Sequence, residues 1–243
     1  MNAVSAVSTA SGPMLHCILR RPPRAALLVD GLRWIPINGL GALVTDLDPA
    51  EIRAADKERL QGYADLIARL HAQQTLIPMR FGCLLADDAA VVGLLKGHRQ
   101  RLLETLDRLD DCVEFSVRLL LPPESQAAPS VADPDPRPGH GHLAAIRLRL
   151  QEETLAAERA ATARDILEQA LAGLFVDLRQ EFGPVGERYL LSLYFLVPRQ
   201  AADRFVAQLR LHPDLVAGAG LVTGPWPPFN FVGALDDVIH PLA

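Results

Sequence analysis

The chain is short of the residues that usually announce chemistry. It has 243 residues and only three cysteines, Cys17, Cys83 and Cys112, far apart and without a Cys-x-x-Cys pair. A disulfide framework or a structural zinc site needs paired spacing. The three read as small buried hydrophobes in a reducing compartment. Lysine is nearly absent: Lys57 and Lys96 stand alone among the arginines. Residues 1–121 hold 14 cations and 14 acids, and residues 122–243 hold 10 and 15. Neither half has the basic excess that phosphate neutralisation requires, which argues against nucleic acid as a partner. No run approaches the ~18–20 apolar residues of a membrane span. The segment 1–13 lacks a positive n-region and a sustained apolar stretch, so no signal peptide is expected. A cytoplasmic protein with no membrane partner is the expectation.

Catalytic patterns are missing too. There is no Gly-x-Ser-x-Gly elbow, no Walker lysine loop and no His-Glu-x-x-His. Asn38-Gly-Leu-Gly41 lies between two short strand-like runs, so it suits a hairpin turn better than a phosphate loop. His140-Gly-His142 lacks a third ligand at useful spacing. His98 sits near an apolar helical stripe and suits a core edge. Carboxylate pairs at Asp87-Asp88, Glu152-Glu153 and Asp236-Asp237 are adjacent in sequence, and on a helix adjacent side chains diverge. The reading assigns no catalytic residue, no cofactor and no metal.

What is present is regular patterning. Met14–Arg20, Ala26–Val29, Arg33–Ile37 and Leu40–Thr45 read as an antiparallel meander with turns at Asp30-Gly31 and Asn38-Gly39. Asp48-Pro-Ala-Glu51 carries the cap, proline and acid of a helix start. The stripe Leu60, Tyr63, Ala64, Ile67 and Leu70 continues from it. Thr75–Arg80 reads as a short strand. Asp87-Asp88 opens a second helix whose stripe is Val91, Leu95, Leu102, Leu106 and Leu109. Cys112–Leu121 alternates like a strand. This is an α+β layer of ferredoxin-like character.

The prolines between Leu121 and Gly141 rule out a regular element and mark a linker. Helical patterning then runs from about His142 to Phe182, with the stripe Leu155, Ile166, Ala170, Leu174 and Leu178. Leu190–Val197 reads as a central strand, Ala201–Leu211 as a short helix and Leu221–Thr223 as a last strand. The expected division is 1–13 disordered, 14–121 a first α+β domain, 122–141 a linker, 142–232 a second α+β domain opened by a long helix, and 233–243 a tail.

Two stretches stand out. One is Ile77-Pro-Met-Arg-Phe-Gly82. The other is Tyr194-Phe-Leu-Val-Pro198, followed after a helix by Thr223-Gly-Pro-Trp-Pro-Pro-Phe-Asn-Phe231. Aromatics between prolines make a stiff segment that either covers a core as a lid or offers anchors to a partner. With Asp87-Asp88, Arg99–Leu109 and Val113-Glu114-Phe115, these blocks make the chain resemble the gas vesicle GvpF/GvpL family from about Leu15 to Val232. Phe229 stands where that family usually has Tyr, and Met14–Arg20 lacks a Tyr-rich start.

The resemblance implies two α+β domains of modified ferredoxin-like fold and an accessory role in gas vesicle assembly, without catalysis. The implied partners are the gas vesicle shell protein and other accessory proteins. A groove or sheet edge could shield the apolar surface of a shell subunit before its incorporation. Arg80, Phe81, Trp226, Pro227, Pro228 and Phe229 are the candidate partner-binding residues. The rival readings are a haem-binding enzyme on a tandem ferredoxin-like scaffold and a small-molecule sensor.

Overall fold

The computed structural model describes residues 11–24, 31–121, 140–211 and 220–233. The chain divides into two compact units, one of residues 1–114 with 226–243 and one of residues 115–225. The division expected from sequence at the proline-rich stretch is therefore displaced. The last segment returns to the first unit, and the boundary falls inside a strand. The expected strand Ala26–Val29, the linker prolines and the tail lie outside the described residues.

The first unit is built on the strands β1 (Gly12–Leu19), β2 (Arg33–Ile37), β3 (Leu40–Leu47) and β4 (Leu76–Pro78), in the sheet order β2-β3-β1-β4. β1 runs antiparallel to both β3 and β4. β2 and β3 form a hairpin that closes on Ile37 and Leu40, with Gly39 at φ 84° supplying the positive angle of a two-residue turn. The register slips between Leu15 and Cys17, leaving His16 as the extra residue of a β-bulge. The slip resets the side-chain alternation, so Met14, Cys17 and Leu19 share one apolar face.

Helix α2 (Lys57–His71) covers that face with Tyr63, Leu66, Ile67 and Leu70. Helices α3 (Asp88–Gly97) and α4 (Arg99–Arg108) pack against β2, β3 and β4. By alternation, Ile18, Ala42, Val44 and Ile77 point away from α2, and they are buried like Val91, Leu95, Leu102 and Leu106 of α3 and α4. The sheet is thus apolar on both faces, and all eight residues of β1 are buried.

Two helices expected as continuous are broken. The Asp48 capping box forms, with its carboxylate accepting from the Ala50 N–H at 2.6 Å and Glu51 accepting from the Asp48 N–H at 3.0 Å. It starts only the short α1 (Pro49–Arg53), and Asp56 caps α2 separately. The stripe shifts accordingly, because Leu60 is left exposed and Leu66 is buried. Asp87 caps α3 as expected, accepting from the Ala90 N–H at 2.7 Å. α3 then stops at Gly97, and His98 separates it from α4. Gly resists helical order on entropic grounds, which makes it a natural break point.

The second unit is a β-α-β-β-α-β arrangement. Its elements are β5 (Cys112–Leu121), α5 (His140–Ala170), β6 (Asp177–Val185), β7 (Arg188–Pro198), α6 (Ala202–Leu209) and β8 (Gly220–Trp226), in the sheet order β6-β7-β5-β8. The long helix does not run to Phe182. It ends at Ala170, Gly173 takes φ 78°, and Leu178 and Phe182 lie in β6. β6 and β7 pair antiparallel from Asp177↔Leu196 to Val185↔Arg188 around Gly186 at φ 62°. α5 buries Ala156, Ala160, Ala163 and Leu167, with Leu171 buried just after it, and small side chains on this stripe let the helix approach β7 and α6 closely. Phe205 of α6 stacks on Phe115 at 5.0 Å and meets Phe195 edge-on at 5.2 Å.

Each outer strand of both sheets carries a proline: Pro36 in β2, Pro78 in β4, Pro184 in β6 and Pro225 in β8. Proline cannot donate to a ladder, so these edges are poor templates for a foreign strand.

Candidate functional site

Of the two stretches singled out by sequence, Ile77–Gly82 and the Trp226–Phe231 part of the second belong to the first unit. Phe81 and Phe229 pack against the same core cluster, which contains Met14, Cys17, Leu43, Tyr63 and Leu70. The Ile77–Gly82 stretch reaches it by running beside β1. The Met79 N–H donates to the His16 carbonyl at 2.9 Å, and the Leu15 N–H donates to the Cys83 carbonyl at 2.8 Å. Gly82 turns the chain at φ 94°. The Tyr63 hydroxyl donates to the Met79 carbonyl at 2.6 Å and its ring meets Phe81 edge-on at 5.3 Å. Phe81 is thereby drawn inward, half-buried, while its neighbour Arg80 is exposed.

The bulge at His16 packs below this turn. The imidazole stacks on Tyr63 at 5.4 Å and its Nε2 lies 2.9 Å from the Thr45 hydroxyl. Its Nδ1 is buried without a hydrogen-bond partner. Burial lowers its pKa to about 4, so the ring is neutral at physiological pH. Burial likewise pushes the neighbouring Cys17 thiol well above its ordinary range and raises the Tyr63 phenol. Such a thiol is a packing element and no nucleophile.

The C-terminal stretch is held by two side chains far away in sequence. Glu114, 4% exposed, accepts the Asn230 backbone N–H at 2.8 Å and the Asn230 side-chain amide at 2.6 Å. The Arg108 guanidinium donates to the Phe231 carbonyl. A buried carboxylate is tolerated only when donors satisfy it, and the asparagine supplies two. Between these clamps and β8, Pro227 and Pro228 are buried, Phe229 is half-buried, and Phe231 is fully buried. Trp226 stands apart at 49% exposed.

Of the six candidate residues, therefore, Phe81, Pro227, Pro228 and Phe229 face the interior, and Arg80 and Trp226 face solvent. The prolines and phenylalanines of the stretch cover the core as a lid, and Trp226 is left in solvent. Sequence reasoning missed the clamp. The signal was Glu114 itself, a charged residue in an otherwise apolar strand and three residues before Val117.

A family model described as gas vesicle synthesis protein GvpL/GvpF matches residues 14–233. The chain is 31% identical over 225 residues to gas vesicle protein F of Streptomyces sp. (strain CB03234), covering 87% of this chain and 89% of that one. The crystal structure of GvpF from Microcystis aeruginosa superposes with a TM-score of 0.71 at 15% identity, over 91% of this chain and 98% of that one. That of GvpF from Anabaena sp. PCC7120 gives 0.67 at 20% identity, over 92% and 96%. At these identities the two structures speak for the fold.

Proposed function

The chain belongs to the gas vesicle synthesis protein GvpL/GvpF family, and on that premise we propose that it is a non-catalytic accessory protein of gas vesicle assembly. It works in the cytoplasm, in association with gas vesicles, by binding the shell protein and other accessory proteins. Trp226 is the observation that carries this reading. An indole left half in solvent, on a backbone fixed by two buried prolines and by the Glu114 and Arg108 clamps, loses little entropy on binding. Rigid aromatics of this kind dominate interface energetics. Arg80, on the exposed side of the Phe81 turn, adds a cation to the same role. Proline in every sheet edge favours capture by such side chains over strand addition.

The test is capture of purified shell protein and accessory proteins by the immobilised chain. Trp226→Ala is expected to weaken capture at least about tenfold with an unchanged melting temperature, and Arg80→Ala less. If both variants capture as the parent does while folded, this surface is wrongly assigned. If the folded parent captures nothing, the assembly reading itself fails.

A further inference from the structure

A groove of about 470 Å³ lies in the first unit, lined by Pro36, Ile37, Asn38, Val92, Lys96 and Arg99. The sequence dictates its walls. One is the tight β2–β3 turn, where Gly39 at φ 84° lets the chain reverse in two residues. The other is α3, whose Val92 and Lys96 stand one turn apart, followed after His98 by Arg99. Arg99 ties the walls together, its Nε donating to the Asn38 carbonyl at 2.9 Å. A Cβ at Gly39 would lie 3.3 Å from an Arg99 Nη, so the glycine also makes room for the guanidinium.

Among the described residues, neither Lys96 nor Arg99 is paired with a carboxylate. Other arginines of the same unit are: Arg33 holds Asp46 and Asp88, and Arg59 holds Glu51. Two unpaired cations therefore rim a floor of half-buried Ile37 and Val92 with Pro36 beside it. A free phosphate would leave that floor uncovered. Nucleic acid or an anionic membrane would call for a wider basic field than a balanced unit offers.

We propose that this groove docks a segment of a partner protein in which acidic side chains flank an apolar one. The apolar side chain covers Ile37 and Val92, and the carboxylates meet the Lys96 ammonium and the Nη groups of Arg99. The site is separate from Trp226 and stands whether or not Trp226 binds shell protein.

Fluorescence anisotropy with a labelled synthetic peptide, in which Glu pairs flank Leu, tests it against the same peptide with Lys for Glu. The acidic peptide is expected to bind, and to bind more weakly as salt rises. Lys96→Met, which leaves the Arg99–Asn38 bond intact, should weaken it about threefold, and Lys96→Glu/Arg99→Glu about tenfold or more. Arg53→Glu, an exposed reversal on α1, should leave it unchanged. Equal binding of the two peptides overturns the proposal, as does an equal loss in Arg53→Glu. So does displacement by citrate at the peptide's own concentration, which would make the groove a small-anion site. A parent dimer that the double variant dissociates would mean that a second copy is the occupant, and that too overturns it.

Discussion

The two units share a strand order and differ in how they finish their surfaces. Counting strands within each unit, both sheets run 2-3-1-4. The second unit reaches that order by the full β-α-β-β-α-β path. In the first unit β1 lies antiparallel to β3 and the helices α3 and α4 are added after β4. Those extra helices give the first sheet a second apolar cover. Among the described residues, large exposed hydrophobics follow the same division. The first unit has Leu60 and Trp226; the second has Leu150, Leu155, Ile166, Val176, Val185, Leu211 and Leu221. Scattered exposed apolar residues are ordinary, but a seven-to-two imbalance between units of similar size is informative. The first unit leaves few large apolar side chains in water. The second leaves more single apolar side chains in water.

The cores differ in kind as well, and that difference is open to the largest test. In the second unit Phe205 is fully buried and meets both Phe115 and Phe195. In the first, Leu43 is fully buried in a mostly aliphatic cluster, with Tyr63 the one aromatic member and Trp34, Phe81 and Phe229 packed against it. Phe205→Ala is expected to destabilise by about 4 kcal/mol and Leu43→Ala by about 3 kcal/mol. Urea unfolding gives the loss, and hydrogen exchange should localise it to β5 and β7 in the first variant and to β1 and β3 in the second. A loss in Phe205→Ala no greater than in Leu43→Ala would end the claim that the second core is organised around its aromatic cluster.

Local signals were legible in the sequence and long-range ones were not. The Asp48–Glu51 capping box, the Asp87 cap, the Asn38-Gly39 turn and the strand Cys112–Leu121 each act over a few residues, and each is present. β6 was misread as helix because Leu178 and Phe182 are four apart, a spacing that also arises on one face of a strand. The turn at Gly186, which makes β6 and β7 a hairpin, decides between the two. The break at Gly97, the end of α3, does not show in the pattern because one apolar stripe runs through both helices. At the site, the family blocks could be picked out, but the inward and outward residues within them could not. That sorting depends on Glu114 finding Asn230 across 116 residues, and on Tyr63 drawing Phe81 into the core.

His16 is a source of acid sensitivity in the first unit, through its burial as a neutral ring. Its folded pKa of about 4 lies below the unfolded value near 6.5, so the unfolded chain binds the proton more readily. The stability it confers is complete above pH 6.5 and is lost as pH falls toward 4, by roughly 3 kcal/mol in all. His16→Phe keeps a ring against Tyr63 and removes the titration. Urea midpoints of the parent should fall over that window more steeply than those of the variant. Parallel pH profiles would show that His16 does not govern acid sensitivity.

The smallest expected change in stability bears on the exposed apolar side chains that distinguish the two units. Leu211 and Leu221 are 69% and 56% exposed. Leu211→Ser and Leu221→Ser remove apolar surface that folding leaves in water, so each should change stability by less than about 0.5 kcal/mol. What they should lower is the binding of a hydrophobic dye to the folded chain, together with capture of shell protein. Leu60→Ser, the matching change on the first unit's α2, should lower neither. Dye binding measures the exposed side chains and capture measures their use, so the two readouts carry different weight. Loss of dye binding without loss of capture would leave the second unit's surface apolar but idle, and would put the partner contact on the first unit alone, at Trp226 and Arg80.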